Sequence, residues 1–329
     1  MLVSCSGAGE EIEMRYDTGA LRCRGHVVEA ESGAKRMDGY WTFWYDDGKT
    51  QCEGSFDEGT IIRDGDLQSN HTSIPEEGRA GAWIAHNPEG QRVFSGSYRE
   101  GKRDGSWMWW HDNGFQRVRA QYDDGKLTGS FSRWHDNGNL AEEGNYVDGE
   151  RDGRHVRYFR DETVESEGRF ILGKEQGIHR QYAPKGLMVE ESVYDNGKLN
   201  GLRSLWDPSG ALQWTGTYLA GILDGEVARY HSNGKIRQLG LFVAGAAEGS
   251  HAGFDAEGNK VWEQGFIAGE PTGDRTEYYS GGVKRYVGQF EGGVPKGVHK
   301  MFSDQNLLLA EGHFHREPSE WAWRKAKTD

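Results

Sequence analysis

A fixed period of 24 residues constrains the fold of this chain more than any other feature. Glycine recurs at every 24th residue from Gly81 to Gly297, through nine consecutive steps, and an earlier unit opens at Gly39. With each opening glycine counted as position 0, position +17 is aromatic in all eleven units, position +5 is aromatic in ten and position +20 is glycine in ten. Each unit is therefore one small structural element that packs on its neighbours.

Two glycine-containing turns divide every unit into two short strands. The middle turn carries Asn-Gly in units such as Asn113-Gly114, and the second turn reads Gly101-Lys102-Arg103-Asp104-Gly105 or similar. Asn-Gly between two strand-like segments predicts a type I′ hairpin turn, which needs positive φ at both central residues. We therefore predict an all-β fold, an elongated antiparallel single-sheet rod of tandem 24-residue β-hairpins. Two strands advance such a sheet by roughly 10 Å, so about 12 units span on the order of 100 Å.

The period also sets the domain organisation. Residues 1–11 are predicted to be an N-terminal tail or tether, residues 12–324 the repeat array, and residues 325–329 a C-terminal tail. An insertion at about residues 60–80 interrupts the array between Gly59 and Gly81. Loops of this length inside regular arrays are often functional, but a plain surface excursion fits the sequence equally well. At the other end, Trp321 and Trp323 are expected to belong to a capping unit.

The two strict aromatic columns are expected to form the core, because an array of single hairpins offers few other apolar positions. A one-residue slip would move every ring to the wrong face, which explains the rigid spacing. The members named as core are Trp44, Trp110, Trp134 and Trp206 at position +5, and Tyr98, Tyr122, Tyr146, Phe170 and Tyr218 at position +17.

Aromatic residues at less regular positions are the candidates for ligand binding. Trp41, Trp83 and Trp107 stand at position +2, and Trp109 and Tyr45 lie close to them. They occur in the N-terminal third, whereas His, Arg or Val takes position +2 in later units. Exposed aromatic rows on a β surface can hold sugars or apolar peptides. The asymmetry fits a localised binding face, and it also fits sequence drift.

The charge and residue composition limit the classes of partner that the chain is expected to bind. The formal net charge is −13, and Lys and Arg do not cluster ahead of the short C-terminal tail. Nucleic-acid binding is therefore not expected, whereas a basic protein partner is compatible with the charge. The sequence contains no run of about 18 apolar residues, so no transmembrane helix is predicted. Three cysteines with no CxxC spacing predict neither a disulfide framework nor a zinc site.

The sequence predicts a non-enzymatic, monomeric chain without metal or cofactor. Equivalent residues such as His111 and His135 should lie roughly 10 Å apart, too far to share a zinc ion. The repeated carboxylates Glu143, Glu167 and Glu191 are separated by the same interval, which does not suit a paired acid and base. Nucleophile-elbow and HExxH motifs are absent from the sequence.

The N-terminus offers one localisation signal. Leu2-Val3-Ser4-Cys5 resembles a bacterial lipobox, in which Cys5 would be lipidated. The basic and apolar regions of a signal peptide do not precede it. Either the match is accidental, or the true start lies upstream of Met1. The chain as written is predicted to be cytoplasmic, and the alternative is a lipoprotein of the cell envelope.

The unit with Gly105, Trp107, Trp110, Asn113-Gly114, Tyr122 and Gly125-Lys126 resembles the bacterial variant of the MORN repeat. The resemblance covers about residues 12–324 and points to the YwqK-like group of proteins labelled as antitoxins. It implies a protein-interaction scaffold, with antitoxin-like inhibition of a partner protein as its narrower form. The alternative function is a tethered lipoprotein that binds glycan or lipid through exposed aromatics. The repeat implies no catalytic residues.

Overall fold

The computed structural model describes residues 9–59, 61–62, 74–314 and 322–325. These residues form 26 β-strands and no helix, and every strand pairing given among them is antiparallel. The prediction of an all-β fold built from antiparallel hairpins is therefore confirmed. Within the same residues, no helix is long and apolar enough to cross a membrane.

The chain divides into two compact units. The first comprises Met1–Val164 and Phe170–Gly173, and the second comprises Glu165–Arg169 and Lys174–Asp329, so that strand β13 (Val164–Ile171) contributes to both. The other strands of the first unit are β1 Glu10–Arg15, β2 Leu21–Glu29, β3 Lys35–Trp44, β4 Thr50–Phe56, β5 Ile61–Ile62, β6 Arg79–His86, β7 Arg92–Arg99, β8 Lys102–Trp110, β9 Gln116–Asp123, β10 Lys126–Trp134, β11 Leu140–Val147 and β12 Glu150–Tyr158.

The second unit continues with the same hairpin pattern. Its strands are β14 Lys174–Ala183, β15 Leu187–Asp195, β16 Lys198–Trp206, β17 Leu212–Leu219, β18 Ile222–Tyr230, β19 Ile236–Val243, β20 Ala246–Phe254, β21 Lys260–Ile267, β22 Glu270–Tyr278, β23 Lys284–Glu291, β24 Val294–Phe302, β25 Leu308–Phe314 and β26 Ala322–Lys325.

Each repeat has the same register. In β8 and β9, Gly105 lies opposite Tyr122 and Trp107 opposite Ala120, and the register shifts by one residue between Trp109 and Trp110. The pairings in the second unit repeat this arrangement, with the corresponding shift between Leu205 and Trp206. The shifts are β-bulges, which insert one extra residue and increase the local twist.

The predicted turn type is wrong for the middle turn. Asn113 keeps a negative φ and only Gly114 is positive, at 85°. The amide of Gly114 donates to the carbonyl of His111 at 2.9 Å, which makes a type I turn followed by a left-handed glycine. Asparagine serves a different purpose here: the Nδ2 of Asn113 donates to the carbonyl of Asp136 in the next repeat at 2.5 Å.

Type I′ geometry occurs instead at the second turn. Asp124 and Gly125 have φ of 46° and 83° and join β9 directly to β10. Later units place Ala220 and Ala244 at φ near 50° in the same position. The N–H of each of these alanines is bound by a side chain at position +23 of the preceding repeat, Asn200 at 3.2 Å and Asp224 at 3.0 Å. These contacts help to hold non-glycine residues in the left-handed conformation, which ordinarily costs about 1–2 kcal/mol.

The densest core lies in the first unit. Buried side chains from β2, β3, β4 and β6 form one cluster, and half-buried rings from β7 pack against it. The members of this N-terminal core are Cys23, Val27, Met37, Trp41, Phe43, Cys52, Phe56, Trp83 and Ala85, with Ile12, Met14, Ile74, Phe94 and Tyr98 at its margin.

The insertion leaves the register of the sheet intact. Strand β4 pairs with β6, so that Phe56 lies opposite Arg79, as Tyr98 lies opposite Arg103 in the next repeat. Ile61 and Ile62 pair with Arg36 and Lys35 of β3. His71, which the sequence placed in this loop, lies outside the described residues.

Candidate functional site

The prediction that Trp41, Trp83 and Trp107 form an exposed binding face is wrong. Their side chains are 0%, 0% and 1% exposed, so they are among the most deeply buried large side chains of the described residues. The reason is a glycine at position +15 of the preceding repeat. A Cβ atom at Gly96 would lie 2.2 Å from the Trp107 ring, and one at Gly54 would lie 2.1 Å from Trp83. The indole therefore packs directly on backbone that carries no side chain.

Histidine fills the same space in later repeats. A Cβ atom at Gly144 would lie 2.2 Å from His155, and one at Gly240 would lie 2.1 Å from His251. The ring nitrogens make equivalent bonds: Nε1 of Trp107 donates to the carbonyl of Ser97 at 3.0 Å, and Nε2 of His155 lies 2.7 Å from the carbonyl of Asn145. We refer to position +2 as the ring column.

Two buried members of this column titrate abnormally. Burial lowers the pKa of His155 and of His299 below the ordinary value of histidine. Nδ1 of His299 lies 2.5 Å from the hydroxyl of Tyr286, whose pKa burial raises. With Nε2 donating to the carbonyl of Gln289, the neutral imidazole accepts this hydrogen bond from the tyrosine. Both groups are thus held uncharged.

Trp109 and Tyr45, the two remaining candidate binding residues, are half-buried. Trp109 stacks on Trp107 with 5.3 Å between ring centroids, and the guanidinium of Arg103 lies over it at 5.2 Å. The hydroxyl of Tyr45 donates to the carbonyl of His86 in the next repeat at 2.8 Å. Both side chains thus make contacts within the fold, and the structure does not assemble them with the three tryptophans into an exposed face.

The strict columns occupy the margin of the core. Phe170 is buried, whereas Trp44, Trp110, Trp134, Trp206, Tyr98, Tyr122, Tyr146 and Tyr218 are half-buried. Tyr98 illustrates the role of position +17, because it meets Trp83 and Trp107 edge-on at 6.2 and 4.9 Å. The rings at position +17 thus contact successive members of the ring column, so the sequence identified neighbours of that column as the core.

The histidines of the middle turns connect neighbouring repeats. Nε2 of His111 and of His135 each lies 3.0 Å from the carbonyl at position +5 of the next repeat, on Trp134 and Tyr158. In the described ranges, no group of three or more His, Cys, Asp or Glu residues is arranged to hold a metal ion. Cys5, the predicted lipidation residue, lies outside those ranges.

Exposed aliphatic side chains mark the second-turn tips of the second unit. Leu219, Ile222, Val243 and Ile267 are 59%, 52%, 47% and 61% exposed, and we call them the aliphatic tip row. Leu219 and Ile222 face each other across one turn, and a Cβ atom at Gly245 of the next turn would lie 3.5 Å from Ile222. The row therefore places exposed aliphatic side chains on three successive second turns.

The equivalent tips early in the first unit are charged. Arg99 forms ion pairs with Asp104 at 2.9 Å and with Asp123 at 2.8 Å, and Lys102 pairs with Asp124 at 2.7 Å. Val147 and Ile171 take this position at the end of that unit, where they are 40% and 49% exposed. The tip position thus tolerates either chemistry, because its side chains point away from the ring column.

Charge is distributed unevenly along the chain. Residues 1–173 contain 32 Asp and Glu against 21 Lys and Arg, whereas residues 174–329 contain 20 against 18. The first 173 residues thus carry a net −11 of the total −13. Carboxylates also flank the tip row, where Asp224 binds the amide of Ala244 and Glu248 binds that of Ala268.

Comparison with known proteins supports the repeat type. The family model described as MORN repeat variant matches residues 37–58, 127–148 and 223–244. These segments fall on three of the hairpin repeats, and the MORN repeat is in general not an enzymatic family. No curated protein matches the sequence.

Solved structures give no further guidance. The crystal structure of TcdB2-TccC3 matches at 12% identity over 96% of this chain, with a TM-score of 0.17, and that of TcdB2-TccC3-Cdc42 at 10% identity over 96%, with a TM-score of 0.18. This chain spans 18% of the length of each of those chains. Scores this low carry no structural argument.

The tip row was missed from the sequence, although a signal for it was present. Position +18 holds Val147, Ile171, Leu219, Val243 and Ile267, a column of aliphatics one residue after a strict aromatic column. In an antiparallel strand, adjacent residues point to opposite faces. A column of apolar residues beside the core column therefore indicates solvent-exposed apolar surface.

Proposed function

We propose that this chain is a non-enzymatic protein-interaction scaffold that docks a partner protein on the aliphatic tip row. The observation that supports the proposal is four aliphatic side chains, each about half exposed or more, aligned on successive turns of one unit. Several exposed aliphatic side chains on neighbouring turns are characteristic of interaction sites on soluble proteins. The contact needs no catalytic group, which accords with the MORN repeat matches.

The charge supports a partner whose apolar patch is bordered by basic residues. Asp224, Glu226 and Glu248 lie in the repeats that carry the row, and the preceding half of the chain is strongly acidic. Complementary charge raises the association rate and makes it sensitive to salt. Antitoxin-like inhibition is the narrower form of the proposal, in which such a basic partner is a toxin that the scaffold masks.

The envelope-lipoprotein alternative loses part of its basis. It required exposed tryptophans to hold glycan or lipid, and Trp41, Trp83 and Trp107 are buried. Lipidation of Cys5 remains a prediction from the sequence, and mass measurement of the N-terminal peptide from the native host would test it.

The decisive experiment is a quantitative cross-linked pull-down from the native host with three forms of the full chain. Leu219→Lys, Val243→Lys and Ile267→Lys together place three charges in the tip row. A control with Ser106→Lys, Ser130→Lys and Ser250→Lys adds the same charge at exposed positions outside the row. We expect a stoichiometric partner whose recovery falls at least tenfold with the first variant and stays within twofold with the control.

Equal recovery by both variants would remove the tip row from the proposal, and absence of any stoichiometric partner at low salt would overturn the scaffold. A captured partner that loses its own activity when bound, and regains it when the row variant replaces the wild type, would establish the antitoxin-like form. Recovery that is unaffected by salt would contradict the basic partner.

A further inference from the structure

An arginine-lined groove of about 370 Å³ lies on the second unit, and no residue of the aliphatic tip row lines it. Arg203, Arg229 and Arg237 line it together with Trp214 and Tyr218. Its volume falls within the roughly 300–1,000 Å³ of small-molecule sites.

The groove exists because the ring column is interrupted here. Position +2 is Arg203 in one repeat and Val227 in the next, so neither supplies the flat ring that other repeats place on glycine. Trp214 folds over Gly216 instead, and a Cβ atom at that glycine would lie 2.3 Å from the Trp214 ring. The half-buried indole is left as an apolar wall beside the arginines.

A matched pair elsewhere in the chain shows what Arg229 lacks. Arg133 occupies the same repeat position, +4, and lies opposite Glu142, to which its Nη2 donates at 3.1 Å. Arg229 lies opposite Gln238 and Trp214 in the corresponding register. The carboxylate that neutralises the first arginine is therefore replaced by an amide and an indole at the second.

Two of the three guanidiniums have no partner within the described part of the chain. Arg203 donates from Nε to Glu190 at 3.0 Å. For Arg229 and Arg237, the described residues provide neither an ion pair within 4.0 Å nor a side-chain hydrogen bond. In a chain with a net charge of −13, two unpaired arginines beside one indole form a distinct local site of positive potential.

We propose that this groove binds a carboxylate attached to a flat apolar body. The planar fork of arginine matches the two oxygens of a carboxylate, and the charge-assisted bonds are roughly twice as strong as neutral ones. The apolar body packs on Trp214, whose ring offers an extended flat face. The site uses none of the tip-row residues, so this proposal can be tested separately from the proposed protein contact.

Benzoate is the first probe, with benzyl alcohol as its neutral counterpart, and binding is followed through the arginine Nε–H resonances and by ligand-observed NMR. We expect benzoate to bind and benzyl alcohol to bind at least fivefold more weakly. Arg229→Gln with Arg237→Gln should weaken benzoate at least fivefold. Arg117→Gln is the control, because Arg117 occupies the same repeat position as Arg237 outside the groove, and it should leave binding unchanged.

Gln238→Glu gives a second test that does not depend on removing an arginine. It recreates the Arg133–Glu142 arrangement, so Arg229 gains an internal carboxylate and benzoate binding should fall at least fivefold in a fully folded chain. Wild-type affinity in this variant would overturn the proposal, as would equal affinity for benzyl alcohol. The row variant with Leu219→Lys, Val243→Lys and Ile267→Lys should still bind benzoate.

Two further probes identify the source of the carboxylate. A blocked peptide with one glutamate between two phenylalanines, compared with its glutamine form, represents an acidic side chain of a protein. Tighter binding of the glutamate peptide than of benzoate assigns the groove to a partner's side chain, whereas tighter binding of benzoate assigns it to a free small acid. Phenyl phosphate binding more tightly than both would overturn the choice of a carboxylate.

Discussion

The first hairpins and the later ones fill the same space with different rings. Trp41, Trp83 and Trp107 occupy the ring column at the N-terminal end, whereas His155 and His251 occupy it further along. Each ring packs on a glycine, and each nitrogen meets a backbone carbonyl of the preceding repeat. In these repeats the space above the glycine is thus filled by a flat ring with one N–H donor, which is more than hydrophobicity alone.

The choice of ring has consequences for stability. An indole brings a larger apolar area and cannot be protonated at any ordinary pH. An imidazole is smaller and must stay neutral to remain buried, since a buried charge without a partner is costly. The tryptophan hairpins should therefore be more stable and insensitive to pH, and the hairpins that contain His155 and His299 less stable and sensitive to acid.

The largest loss of stability is expected when a side chain of the ring column is truncated to alanine. Trp83→Ala should lower the free energy of unfolding by about 4 kcal/mol, the usual cost of removing a buried tryptophan. His251→Ala should cost about 2 kcal/mol, because a smaller ring and one hydrogen bond are lost. Urea unfolding followed by circular dichroism measures both. Equal losses would show that the two rings contribute alike and would break the comparison.

A smaller effect should follow from changing the glycine beneath the ring. Gly96→Ala brings a Cβ into the Trp107 ring and should cost about 3 kcal/mol through overpacking. A natural repeat of the chain shows which second change should compensate. There, Ala120 takes the position of the glycine, and the ring that packs on it is Phe131. Trp107→Phe should therefore recover at least half of the loss in the double variant. With Trp107→Phe alone as the control, purely additive costs would contradict direct packing of ring on glycine.

The smallest expected effect is a loss of folding stability at acidic pH. The pKa values of His155 and His299 are lowered in the folded chain, so the unfolded chain binds more protons as the pH falls below about 6.5. Stability is thus fully present above that pH and declines below it, by at most about 1.4 kcal/mol per histidine and pH unit. Hydrogen exchange at pH 7.5 and 5.5 should show loss of protection in β12 and β24 and little change in β6 and β8.

His155→Trp sharpens this test. The indole retains an N–H donor, and Gly144 already provides the bare backbone on which tryptophan packs elsewhere. The variant should therefore be at least as stable at pH 7.5 and should abolish the acid sensitivity of β12. Persistent loss of protection in β12 at pH 5.5 would assign the sensitivity to another group.

The 24-residue period made the fold predictable. It did not predict which individual side chains are buried and which are exposed. The 24-residue spacing identified hairpins, and the structure confirms them. The type I′ turn was assigned to Asn113-Gly114 because that dipeptide is its usual signal, but the second turn adopts it even with Ala220. There, a side chain bound to the turn amide compensates for an unfavourable residue, and such a contact becomes visible only when the register is known.

The binding site was misplaced for a related reason. Strictly repeated aromatics were expected to be core and irregular ones exposed, yet Trp107 is buried and Tyr122 is half-buried. A position that accepts tryptophan, phenylalanine, histidine, arginine or valine looks variable when residue type alone is compared. The signal lies in the paired position +15, where the residue varies together with the side chain that packs on it: Gly96 lies under Trp107 and Ala120 under Phe131. Reading the two positions together would have placed the tryptophans correctly.

The insertion after β4 carries a wider implication for how such a chain can change. Between Phe56 and Arg79 the array accommodates more than twenty residues, and the two strands on either side still pair as they do elsewhere. A hairpin tip is thus a point at which sequence can be added or rewritten without disturbing neighbouring repeats. New specificity can arise there one tip at a time, while the rings and glycines beneath continue to hold the architecture constant.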